Sequence, residues 1–121
     1  VEDPWEAAML GLDAFLERCC DPVYGRLVWQ EGPVALGWAR WKECEEEHAY
    51  GLIEGFVRAL VEAGLIEGSL DLITRFSFHL LGAAGMALAD ADAQTQPQTK
   101  KDCAQLVQRM LAGLATPPTQ P

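Results

Sequence analysis

The sequence predicts an all-α chain, a five-helix bundle, on three observations. Apolar residues recur at intervals of three and four through most of the chain, the spacing that lines one side of a helix. No run alternates apolar and polar residues in the manner of a half-buried strand. Helix-start and helix-stop signals fall between the periodic segments, at Asp3-Pro4, Asp21-Pro22, Gly32-Pro33, Gly64, Ser69 and Pro97. At 121 residues the chain is one domain, and a chain of that size buries roughly two-thirds of its unfolded surface. Residues 1–115 are expected to form that domain, and the tail 116–121, TPPTQP, is expected to be disordered.

Asp3-Pro4 opens the first helix, with aspartate as the cap and proline in the first turn. Trp5, Ala8, Met9, Leu12, Phe15, Leu16 and Cys19 share its apolar side, opposite Glu6, Asp13 and Glu17. Asp21-Pro22 repeats the start signal for a short second helix reaching about Gln30, which Gly32-Pro33 is expected to break. A long third helix is expected from about Pro33 to Ala63. Trp41, Cys44, His48, Leu52, Phe56, Ala59 and Ala63 form one stripe on it, and Glu43, Glu47, Glu54, Arg58 and Glu62 the other. Glu54–Arg58 and Arg58–Glu62 stand at the spacing where ion pairs support a helix. Gly64 suits the C-cap, and Ser69 caps the next helix with Asp71 in its first turn.

That central helix, Leu70 to Ala91, organises the rest. Between Asp71 and Asp90 it holds one charge, Arg75, and no proline. Ile73, Phe76, Leu80, Ala84, Ala87 and Ala91 fall on one side, and Phe78, Gly82, Gly85 and Ala89 on another, with Met86 beside them. The second side is a groove of small residues that admits another helix closely, and in so short a chain a second copy of the protein is expected to cover it. After ADAQTQ, Pro97 opens a last helix whose apolar side is Cys103, Leu106, Val107, Met110, Leu111 and Leu114.

The formal net charge of −9 repels phosphate, which excludes nucleic-acid binding by this chain on its own. The uncharged run Phe76–Ala89, interrupted by Ser77 and His79, is too short to span a bilayer, and VEDPWEAA carries no signal-peptide pattern. No membrane contact is expected. Cys19, Cys20, Cys44 and Cys103 show no CxxC and fall in helical patterns, so they read as reduced thiols of a cytoplasmic protein.

For catalysis, Ser77 and His79 stand two apart on a helix and diverge. Cys44 and His48 share a face at four-residue spacing, which would suit a metal with Cys19 or Cys20 as third ligand; two-residue spacing matches are common by accident, and the expected reading is a thiol and an imidazole that satisfy local hydrogen bonds. Glu43, Glu45, Glu46 and Glu47 spread around the helix as a solvated face, except that Glu45 lies closer to the apolar stripe and could meet a polar group of a ligand. The aromatic residues say more. Trp29, Trp38 and Trp41 cluster around Gly32-Pro33, with Trp5, Phe15, Tyr24 and Phe76 elsewhere. Rigid rings beside Cys and His suit the lining of an apolar pocket with a few polar handles, and they suit a packed core as well.

GPVALGWARWKECEEEHAYGLI followed by LLGAAGMALADA resembles the C-terminal effector-binding and dimerisation domain of TetR-family transcriptional regulators. The resemblance spans Trp5 to about Leu114. Gly32-Pro33, Leu36-Gly37-Trp38 and Arg40-Trp41 are its strongest part, supported by Leu81-Gly82-Ala83. It implies a repressor in which an N-terminal helix-turn-helix reads DNA while the C-terminal helices hold a small molecule and pair two subunits. The last two helices would form a four-helix dimer contact. No basic three-helix segment precedes Pro4, so DNA is expected to be reached only through a domain outside this chain.

On that resemblance, an apolar or aromatic effector is expected between the first, third and central helices. Its wall is expected to be Phe15, Cys19, Trp29, Trp38, Trp41, Cys44, His48, Phe76 and Leu80, with Cys44 and His48 as polar contacts. Phe78, Gly82, Gly85, Met86 and Ala89, with Leu106, Met110 and Leu114, are expected at the homodimer seam. No enzymatic activity, cofactor or metal is expected. The other classes open to this sequence are a ligand-free helical protein-interaction module and a small metal- or thiol-dependent helical enzyme.

Overall fold

The computed structural model describes residues 3–115, so the tail 116–121 lies outside the described residues. Asp3 accepts the N–H groups of Trp5 and Glu6 at 3.0 and 3.4 Å and starts α1, Pro4–Cys19. Asp21 does the same for Val23 and Tyr24 at 2.9 and 3.1 Å and starts α2, Pro22–Gly25. Both caps satisfy donors that a helix start leaves without intrahelical partners.

The expected break at Gly32-Pro33 is not there. The chain continues through a π-helical turn, Arg26–Glu31, into α3, Gly32–Leu36. The wide turn absorbs the proline: the Gly32 N–H reaches the Leu27 carbonyl, five residues back, and Pro33 follows where it has no donor to offer. The chain turns instead at Gly37, with φ 82° and ψ 151°, a backbone conformation that glycine alone adopts freely.

The third rod therefore starts at Trp38 rather than near Pro33. It runs through α4, Trp38–Glu45, a second π-helical turn, Glu46–Tyr50, and α5, Gly51–Glu62. Ser69 Oγ accepts the Leu72 N–H at 3.2 Å and opens α6, Leu70–Asp90, as the sequence predicts, and α7 spans Gln96–Ala112. Among the described residues there is no strand, and the helices fall into five rods.

α6 lies at the centre, against α1, the first π-helical turn, α5 and α7. Leu16 of α1 and Leu60 of α5 are fully buried, as is Leu88 of α6 itself. Its last carbonyls are capped from outside the helix: Gln30 Nε2 donates to Ala89 O at 3.0 Å and Gln96 Nε2 to Leu88 O at 2.9 Å. Lys100 Nζ ties α7 to α1 through Glu17 at 2.6 Å and Asp13 at 3.3 Å. The Glu67 N–H donates to Leu114 O at 2.8 Å, fastening the end of α7 to the loop before α6.

At 21 residues α6 is long and apolar enough to cross a membrane by length and composition, which the shorter uncharged run counted in the sequence did not suggest. In the fold it is the core helix, with Ile73, Thr74, Ala84, Gly85 and Leu88 buried.

Candidate functional site

A cavity of about 230 Å³ opens between α1, the first π-helical turn, the α4–α5 rod and α6. Aromatic rings make one end of it. Trp38 and Trp41 lie 5.0 Å apart between centroids at 33°, Trp29 stands edge-on to Trp41 at 5.6 Å, and Phe15 edge-on to Trp29 at 6.4 Å. Offset and edge-to-face contacts of this kind add to what burial alone provides.

Trp41 and Trp29 are each held in place. Trp41 Nε1 donates to Val28 O at 2.6 Å, and its ring lies over Gly32, where a Cβ would stand 3.0 Å from Trp41 Cδ1 and 2.7 Å from Leu27 O. Trp29 lies against Gly85, where a Cβ would come within 2.4 Å of the indole. Glycine is required there for close approach rather than for an unusual φ. Trp38, 56 % exposed, stands at the mouth. Behind Trp29, Cys19 is buried and its thiol is pushed up to about 12, chiefly by desolvation. The Trp29 Nε1–H is buried with no hydrogen bond of good geometry, although the Cys19 sulfur is near enough to favour its thiolate slightly. Burial thus favours the neutral thiol at neutral pH.

The polar lining is sparse: Lys42, Glu45 and His79. Burial pushes the Glu45 carboxyl above its usual range, with the neighbouring His48 opposing the shift. Its charge also reaches inward to Cys19 and Tyr24. Glu43, Glu46 and Glu47 are exposed, as a solvated face would be.

The structure brings Phe15, Trp29, Trp38 and Trp41 together and leaves the other expected wall residues elsewhere. Cys19 is behind the wall. Cys44 and His48 lie off it, with His48 Nδ1 2.7 Å from the Cys44 carbonyl oxygen. Among the described residues no three His, Cys, Asp or Glu side chains gather as metal ligands. Phe76 and Leu80 line a different groove of about 680 Å³ between α6, α7 and the loop at Glu67–Ser69.

Within the subunit, the stripe expected at the dimer seam faces the cavity and the packed residues around it. Phe78, Gly82 and Met86 line the cavity, Gly85 carries Trp29, and Ala89 packs beside Gly25. The helical wheel separates the two faces of α6 but does not say which is covered from inside. The indole of Trp29 decides it, because only the small-residue face can take a flat ring at that distance. Leu106, Met110 and Leu114 do point outward, 57 %, 50 % and 37 % exposed. They share the outer face with Leu72 and Phe76, at 53 % and 68 %.

Sequence reasoning missed Ala49, Ile53, Leu81 and Ala83 in the wall. For the first two the signal was available: Trp41, Glu45, Ala49, Ile53 and Val57 recur every four residues. An ordinary helix would carry that series off the face, but the π-helical turn at Glu46–Tyr50 holds more residues per turn and keeps it aligned. The expected stripe through Cys44, His48 and Leu52 assumed an unbroken α-helix.

No curated protein matches the chain. The family model for "Tetracyclin repressor-like, C-terminal domain" matches residues 5–114, from the first turn of α1 to just past α7. The rods that enclose the aromatic cavity and the outward face of α6 and α7 all fall inside that match. The chain therefore belongs to the tetracyclin repressor-like C-terminal domains, a regulatory family of all-α ligand-sensing and dimerisation domains.

Proposed function

We propose that residues 1–115 are the sensor and dimerisation half of a cytoplasmic TetR-like repressor, and that the aromatic cavity takes a small apolar or aromatic effector. The observation that carries this reading is the cluster of Phe15, Trp29, Trp38 and Trp41 around an open volume instead of a filled core. A space lined by rigid rings with few polar groups is the usual form of a small-molecule site. The homodimer would form through the outer face of α6 and α7, where Leu72, Phe76, Leu106, Met110 and Leu114 leave an apolar surface that a second copy would cover.

The cavity wall is made by α1 and the α4–α5 rod on one side and α6 on the other, so an effector between them would set the angle of α1 against the dimer face. Its leverage on a DNA-reading domain outside this chain equals its differential affinity for the two arrangements and no more. Titrating intrinsic tryptophan fluorescence with methylnaphthalene tests the site. Saturable quenching that Trp41→Ala removes supports it, and a linear, unsaturable response refutes it.

A further inference from the structure

Three titratable side chains line the cavity, Lys42, Glu45 and His79, with His48 next to Glu45 on the same rod. Among the described residues neither Glu45 nor Lys42 takes part in an ion pair. Glu45 is half-buried on the side of α4 that carries Trp38 and Trp41.

We infer that the ligand is a flat aromatic cation, its ring against the Trp38–Trp41 pair and Phe15 and its positive charge beside the Glu45 carboxylate. This rests on the effector-site reading and narrows it to a chemical class. Indole faces carry negative quadrupole density, so they attract a cation and disfavour an anion. A carboxylate removed from water gains most from a counter-charge delivered with the ligand, since the desolvation has already been met in the folded chain. The net charge of −9 draws cations toward the protein from a distance.

Lys42 does not reverse this. Both side chains are part-buried, but the longer, more flexible stem of Lys42 lets its ammonium extend away from the rings toward water more easily than the shorter Glu45 side chain can move its carboxylate. An anion paired to Lys42 would still face the tryptophan rings and the Glu45 charge.

The test uses three probes of nearly equal shape: N-methylquinolinium, neutral methylnaphthalene and naphthoate. A fixed quaternary charge keeps probe titration out of the result. Calorimetric titration at neutral pH should show the cation binding about tenfold more tightly than the neutral probe and the anion most weakly. Glu45→Gln should bring the cation-to-neutral affinity ratio from about tenfold to near one, with far-UV circular dichroism and a cooperative thermal transition showing that the variant is folded; a ratio that stays near tenfold overturns the role of Glu45. If the cation and the neutral probe bind alike, or the anion binds best, the cation inference is overturned and the aromatic site stands. If none of the three binds, both fall.

Discussion

The indole Nε1–H of Trp41 donates to the carbonyl oxygen of Val28 across 2.6 Å, and Pro33 is the reason that oxygen is available. In an α-helix the Val28 carbonyl would be taken by Gly32, whose N–H is turned to Leu27 instead. In a π-helical turn it would be taken by residue 33, which as proline has no N–H. The carbonyl left over by the wide turn is thus satisfied by the ring that closes the cavity, and a backbone irregularity becomes the mount for a wall residue.

Trp41→Phe keeps an aromatic ring and removes the donor, leaving the part-buried Val28 carbonyl without its partner. A loss of stability of about 1–3 kcal/mol in urea unfolding is expected. A variant as stable as the parent would mean that water serves the carbonyl equally well.

Gly85 and Gly82 lie one turn apart on α6 and should respond oppositely to alanine. A Cβ at Gly85 would press into Trp29, whereas one at Gly82 meets nothing within 4 Å. Gly85→Ala is expected to destabilise by about 1–3 kcal/mol through overpacking. Gly82→Ala should be neutral or stabilising by up to about 1 kcal/mol from helix propensity. Thermal unfolding of the two variants side by side reads the contrast.

Phe76→Glu with Met110→Glu places charges on the outer face of α6 and α7, at two residues that do not line the aromatic cavity. Sedimentation velocity should show a dimer for the parent and monomers for this double variant, with tryptophan emission unchanged. A dimer that survives both charges would put the subunit contact on another face.

Glu45 carries a pH prediction with a definite sign. Desolvation raises its carboxyl in the folded chain, so the folded state favours the protonated acid. The stability this group contributes is present at acid pH and lost as pH rises through the raised value. Glu45→Gln should therefore raise Tm at neutral pH, by about 1–3 °C. The gain should fade toward the acid side, where both folded and unfolded chains hold the proton. A gain that is constant across pH would place its origin in packing.

Most of the fold was legible because it rests on local signals. Asp3, Asp21 and Ser69 cap the helices they were expected to cap, and α6 follows from a run with one charge and no proline. The site was legible in part. Three tryptophans around Gly32-Pro33 announced an aromatic cluster, and the closeness of Glu45 to the apolar stripe marked it apart from its exposed neighbours. What escaped were the consequences of two wide turns. One carried the chain past Pro33 to a bend at Gly37, and the other shifted the inward series from Cys44 and His48 to Glu45, Ala49 and Ile53. A helical wheel with a fixed period cannot show such a shift. Nor could it tell that Trp29 from the same chain, instead of a second subunit, covers Gly85.

That inward placement of the Gly82–Met86 edge is what the rest depends on, and Gly82→Leu probes it directly. Methylnaphthalene binding and sedimentation are measured on the same sample of this variant. A side chain filling the cavity should abolish saturable binding and leave the dimer intact. A variant that binds as the parent does while its dimer dissociates would contradict the arrangement and turn this edge of α6 outward.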